Sequence, residues 1–187
     1  MNVRIHRIAA TCGLSLLFSL AGCGQKQEVA RLGKQLEEGN SKERKDAARR
    51  LAVLGPTSQL ATPELIKALT DSQPEVREAA ALALAKIGPQ ADEAIPALLS
   101  ALNDSNPKVR IAVLSALGKV AKERSEVVAA LIGCLRDNNP KIRTAAARAC
   151  GNLGSAAKEA VPALQTASQD ANREVRDAAM LSLRHIN

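Results

Sequence analysis

The chain has 187 residues, 46% of them hydrophobic, and a formal net charge of +7, which is enough apolar material for one continuous core and too much for a disordered chain. Trp and Tyr are absent and Phe18 is the single aromatic, so recognition of single-stranded nucleic acid by base stacking is excluded. The two histidines, His6 and His185, cannot supply a histidine pair for metal or triad chemistry once His6 falls in a cleaved leader.

The N-terminus reads as an export signal. Arg4 and Arg7 make a positive start and Ile8 to Leu20 an apolar run, too short to span a bilayer comfortably. The next residues, Leu20-Ala21-Gly22-Cys23, resemble a bacterial lipobox, which implies cleavage before Cys23 after lipid has been attached to its thiol. Residues 1–22 are therefore expected to be a lipoprotein signal peptide, 23–28 a lipidated tether and 29–187 the folded domain. Cleavage removes only Arg4 and Arg7, leaving 24 cations against 19 acids, in mixed-sign runs that read as a solvated helical surface. More than one acyl chain on Cys23 would anchor the protein stably. Gly24 stands where lipoproteins of the inner membrane typically carry aspartate, which places the anchor in the outer membrane, facing the periplasm.

Beyond the tether the chain is periodic. Pro74-Glu75-Val76-Arg77, Pro107-Lys108-Val109-Arg110 and Pro140-Lys141-Ile142-Arg143 recur at 33-residue intervals, with Arg173-Glu174-Val175-Arg176 as a variant. Leu65, Leu98, Leu131 and Leu164 keep the same period, so one unit has been copied. Its first copy opens with Val29, Leu32 and Leu36 at helical spacing, followed by a helix over Ser41 to Leu54 that carries Glu43, Asp46 and Arg50 where later copies are apolar. A polar outer repeat is what a solenoid cap requires.

In later copies the first helix opens with Pro63, Pro96 or Pro162, and the second is capped by Asn40, Gln73, Asn106, Asn139 or Asn172. That second helix is expected to bury Val76, Ala79, Ala80, Ala83, Leu84 and Ile87, with Val109, Ala112, Val113, Ala116, Leu117 and Val120 in the next copy. It closes at Gly55, Gly88, Ala121, Gly154 and Asn187, four of them residues that tolerate a left-handed helix stop. Ten helices are predicted. Cys134 and Cys150 take core positions on either side of one turn, about 7 Å and about 17 Å from it at 1.5 Å per residue. That mismatch exceeds disulfide reach, and two buried free thiols are expected.

The unit from Asp71 to Gly88, D-x-x-P-x-V-R-x-x-A-A-x-A-L-x-x-I-G, resembles the HEAT repeat, in the short form also seen in phycobilin lyases. The resemblance implies an all-α, right-handed α-solenoid of about five two-helix repeats. It also implies an inter-repeat ladder in which Asp71, Asp104, Asp137 and Asp170 contact Arg77, Arg110, Arg143 and Arg176. Since second helices line the concave surface of such stacks, the positions opposite their core stripe form a candidate protein-binding groove. We assign to it Arg49, Leu82, Ile111, Gly118, Arg148, Gly151, Leu181 and Arg184, with Gly118 and Gly151 admitting close approach of a bound chain.

Glycines are isolated or helix stops, so no phosphate loop exists, and the carboxylates sit at periodic positions. The expected function is a non-enzymatic, lipid-anchored scaffold that binds a protein or peptide at the bacterial envelope, with no cofactor, metal, nucleic acid or small-molecule substrate. The family also admits an accessory chromophore lyase or a purely structural envelope protein.

Overall fold

The computed structural model describes the backbone of residues 12–186 and the side chains of residues 24–186. The described residues form ten α-helices: α1 (Cys12–Glu38), α2 (Ser41–Leu54), α3 (Thr62–Ala68), α4 (Pro74–Ile87), α5 (Ile95–Ala101), α6 (Pro107–Val120), α7 (Ser125–Cys134), α8 (Pro140–Leu153), α9 (Val161–Ala167) and α10 (Arg173–Ile186). Consecutive helices pair into five hairpins, as the period predicts. The expected signal segment, residues 1–22, and the Cys23 thiol lie outside the described side chains. Among the described residues, no helix is long and apolar enough to cross a membrane.

The expected tether is helical from Gly24 onward, as part of α1. It is tied to the first hairpin: Gln25 Nε2 donates to Thr57 Oγ1 at 3.1 Å, and Glu28 pairs with Arg31 at 2.9 Å and with Arg50 at 2.8 Å. These contacts hold the stretch expected as a polar tether against the first hairpin.

The second helices start on strong local signals. Asn40 accepts from the Lys42 and Glu43 amides while Glu43 takes the Asn40 amide, a capping box. Asn106 and Asn139 accept from Lys108 and Lys141 ahead of a first-turn proline. Gln73 makes no side-chain cap; instead Asp71 Oδ1 accepts its backbone N–H at 2.8 Å, a bond repeated by Asp104, Asp137 and Asp170 in the later turns.

Helix ends differ from the expected left-handed stop. Gly55, Gly88 and Gly154 adopt φ of 58°, 75° and 56° with ψ of −132°, −144° and −135°, a region essentially reserved for glycine. The chain then runs through 3-10 turns over Gly55–Ala61, Gly88–Ala94 and Gly154–Ala160, which the periodicity did not reveal. Ala121 cannot follow that path. It leaves α6 extended at φ −74°, ψ 122°, no 3-10 segment forms, and α7 has ten residues where α3, α5 and α9 have seven.

Every residue assigned to the core of α4 and α6 is buried. A further column, Ala48, Ala81, Leu114 and Ala147, is also fully buried, because each second helix packs directly on the next: α2 on α4, α4 on α6, α6 on α8 and α8 on α10. Its last member, Met180 on α10, is 44% exposed. A 3-10 segment intervenes between α3 and α5 and another between α7 and α9, with none between α5 and α7. The first helices from α3 onward do not pack directly on one another as the second helices do, so the stack curves with the second helices inside. At the N-terminal edge Glu43, Asp46 and Arg50 are exposed, as a cap requires.

The ladder between repeats is present, with its pairing displaced by one rung from the expected list. Arginine of one repeat reaches aspartate of the next. Arg44 binds Asp71 through Nε and Nη2 at 2.6 and 2.9 Å, Arg77 binds Asp104 at 2.6 and 2.8 Å, and Arg143 binds Asp170 at 2.8 and 2.8 Å. Arg110 donates one bond to Asp137 and turns its Nε to the Leu102 carbonyl. Within its own repeat each of Arg77, Arg143 and Arg176 donates through Nη1 to the carbonyl oxygen of Asp71, Asp137 or Asp170. Arg44, which the period aligns with Arg77 but which the expected ladder left out, is thus its first arginine, and Arg176 has no carboxylate partner among the described residues.

Geometry explains the displacement: a second helix lies beside the turn that opens the following second helix, so a guanidinium reaches forward. The Arg77 hydrogen bond holds the Asp104 carboxyl below its ordinary value despite burial, assisted by the Asn106 amide. At Asp137 burial pushes upward most strongly, yet the Asn139 amide and Arg110 together keep that carboxyl lowered as well.

Candidate functional site

Curvature of the second-helix layer opens a groove of about 480 Å³ that crosses four helices. Glu78 and Leu82 of α4 form one end and Glu174 of α10 the other; Lys108, Ile111 and Ser115 of α6 and Lys141, Thr144, Arg148 and Asn152 of α8 line the middle. The floor is made of Ala112, Ala145 and Ala149, whose small side chains keep it deep. Thr144 is fixed there by its hydroxyl donating to the Pro140 carbonyl at 2.9 Å.

Three residues predicted for the groove are brought together: Leu82, 43% exposed, Ile111 and Arg148. Ile111 is half-buried and rests on the core, so it is a wall of the groove where full exposure was expected. Arg49, Leu181 and Arg184 are exposed on the flanking helices α2 and α10 and do not line the cavity. The sequence missed Lys108 and Lys141. They sit one turn before Ile111 and Thr144, at 3-residue spacing on the same helix face, and that spacing was the available signal.

Gly118 and Gly151 require correction. Both are buried. A Cβ on Gly118 would meet Ala149 Cα at 2.8 Å, and one on Gly151 would meet Ser182 Oγ at 2.6 Å and Cα at 3.1 Å. What approaches these glycines is the neighbouring second helix, not a bound chain. The angular reading placed them opposite the core of their own hairpin, but in a stack that direction faces the next repeat.

Among the described residues no three His, Cys, Asp or Glu side chains converge on a metal-sized site. Cys134 and Cys150 are unpaired. Cys150 is buried, and burial pushes its thiol up to about 12; Cys134 is only half-buried, short of the expected full burial, although burial is still what raises its pKa.

A second cavity of about 370 Å³ lies between Leu36, Glu37, Arg44, Glu64, Lys67, Ala68 and Asp71. Four of its charges are mutually engaged, Lys67 with Glu37 at 2.6 Å and Arg44 with Asp71, while Glu64 forms no ion pair and its buried Oε2 has no hydrogen-bond partner among the described residues. The central groove differs: among the described residues Glu78, Lys108, Lys141, Arg148 and Glu174 form no ion pair.

Comparison with solved structures finds the same architecture. An engineered protein matches with a TM-score of 0.66 at 27% identity, over 84% of this chain and 78% of its own. A designed armadillo repeat protein in complex with the peptide (KR)4 matches with a TM-score of 0.67 at 20% identity, over 95% of this chain and 96% of its own. The complex of CpcE and CpcF of phycocyanin lyase from Nostoc sp. PCC7120 matches with a TM-score of 0.66 at 22% identity, over 82% and 96%. A comparison with curated proteins finds no match. The sequence profile of HEAT repeats covers residues 29–103 and 95–184, a span that reaches into all five hairpins; this chain belongs to the HEAT-repeat family.

Proposed function

We propose that this protein is a non-enzymatic scaffold that holds an extended segment of another protein in the groove of its second helices. The observation that carries the reading is the groove itself: four successive helices present an exposed leucine, a half-buried isoleucine and unpaired charges along one concave path. Repeat proteins of the same architecture include a designed one in complex with a peptide, which supports peptide binding as a use of this fold. The likeness to the phycocyanin lyase complex is one of fold at 22% identity and carries no chromophore chemistry to this chain.

The reading includes a place in the cell. Cys23, behind the lipobox-like Leu20-Ala21-Gly22, carries the lipid that holds the scaffold at the bacterial envelope, in the outer membrane facing the periplasm. Two measurements test these parts separately. Cys23→Ser is expected to abolish fatty-acid labelling and leave an unprocessed precursor; persistent labelling refutes the anchor. Leu82→Glu places a charge in the groove at an exposed position, so thermal unfolding is expected to stay within a few degrees of the parent. Capture of a crosslinked envelope partner should then fall at least ten-fold. Unchanged capture refutes the groove as the binding surface.

A further inference from the structure

The groove has a charge sequence as well as a shape. Passing from α4 to α10, its ionic residues are Glu78, then Lys108 on α6, then Lys141 and Arg148 on α8, then Glu174 on α10. Acids thus stand at the two ends and cations alone in the middle. Among the described residues none of the five is neutralised by a side-chain partner, whereas the aspartates facing the ladder are. The apolar side chains are not central: Leu82 and Ile111 line the α4 and α6 part of the groove, ahead of the two cations of α8.

From this order we propose that the groove selects an extended peptide bearing an apolar residue followed, two or three residues later, by one or two carboxylates, with a basic residue at each end. The proposal rests on the scaffold reading above and specifies its ligand. Length fits: α4 and α10 lie three repeats apart, roughly 30 Å at about 10 Å per packed helix, which about nine extended residues span at about 3.3 Å each. A leucine-sized side chain between Leu82 and Ile111 leaves the following carboxylates over Lys108, Lys141 and Arg148, where the concave wall limits screening by water. A phosphodiester chain would meet Glu78 and Glu174 at both ends and find no ring to stack on, so the terminal acids select against it.

Fluorescence polarisation on the full chain in detergent tests this, with the labelled peptide Lys-Ser-Leu-Ser-Glu-Glu-Ser-Ser-Lys and versions carrying Gln-Gln or Lys-Lys at the central pair. The acidic peptide is expected to bind at least ten-fold more tightly than the glutamine version, to weaken with salt, and to lose that preference in Lys141→Glu/Arg148→Glu. The lysine version should gain affinity for the same double variant. If glutamine or lysine peptides bind the parent as well as the acidic one, and Leu82→Glu abolishes that binding, the charge selectivity is refuted while the groove still stands as a peptide site. If none of the peptides binds, or binding ignores Leu82→Glu, both readings fall. Tighter binding of an oligo-dT strand than of the acidic peptide also overturns the proposal.

Discussion

Asp104→Ala is the sharpest test of what couples the repeats. In the native chain this carboxylate receives Arg77 Nε and Nη2 at 2.6 and 2.8 Å and the Asn106 amide at 2.8 Å, with side-chain exposures of only 14% for the arginine and 8% for the acid. Breaking a buried pair by removing one partner costs about 3–5 kcal/mol. Here Arg77 keeps Nη1 on the Asp71 carbonyl at 2.8 Å, and the vacated edge lies near enough to the surface for water to enter, so we expect about 2–3 kcal/mol. Arg176→Ala is the internal control: among the described residues its guanidinium donates only to the carbonyls of Asp170 and Ala171, and the loss should stay below about 1 kcal/mol. Urea denaturation followed by far-UV circular dichroism measures both. A break at the central interface should also split the transition, because coupling in a solenoid passes only between neighbours. An Asp104→Ala midpoint indistinguishable from the parent, or an Arg176→Ala loss equal to that of Asp104→Ala, refutes the ladder as a stabilising device.

Acid titration should show the same carboxylates. Asp71, Asp104, Asp137 and Asp170 all lie below their ordinary value, so their stabilisation is complete above about pH 4 and disappears as pH falls through the lowered values. Unfolding should therefore begin below about pH 4, and Asp104→Asn should flatten that dependence; a profile unaltered by the substitution counts against it. Thiol titration of the native protein should find Cys134 reacting first and Cys150 only on unfolding, given a thiol pushed up to about 12 by burial; equal rates would contradict the packing. Gly118→Ala should destabilise by about 1–3 kcal/mol through overpacking against Ala149, outweighing a helix-propensity gain of about 1 kcal/mol. Gly33→Ala, whose Cβ would meet nothing closer than Glu64 Cδ at 3.4 Å, should be neutral or stabilising by thermal melting. Equal effects at both glycines would show that helix propensity alone decides.

The period made the architecture readable, because a 33-residue recurrence of proline, arginine and paired alanines constrains each helix several times over. Val76, Ala80, Leu84 and their equivalents announced one buried stripe per helix. Contacts between repeats were less legible. Ala81 and Leu114 are as buried as the stripe but lie on a flank that becomes interior only when the next hairpin is laid down, and Gly118 and Gly151 were misassigned to solvent for the same reason. The ladder residues could be named, but their partners could not. A guanidinium's reach depends on the offset between stacked hairpins, and within one copy Asp71 and Arg77 are closer in sequence than Arg77 and Asp104. For the groove, the apolar wall was visible as Leu82 and Ile111, while Lys108 and Lys141 were masked by a surface rich in similar charges.

The column that runs through Ala52, Ala85, Gly118 and Gly151 acts as a gauge of bend. Where it holds alanine, a methyl group keeps successive inner helices apart; where it holds glycine, backbone meets backbone, and Ala149 and Ser182 come within a distance that no side chain would permit. A methyl group added at either glycine would force α8 away from α6 or α10 away from α8 and open the inner layer at that joint. Exchanging alanine and glycine along this single column would re-bend the molecule and alter how a segment fits, while leaving every residue that touches the ligand in place.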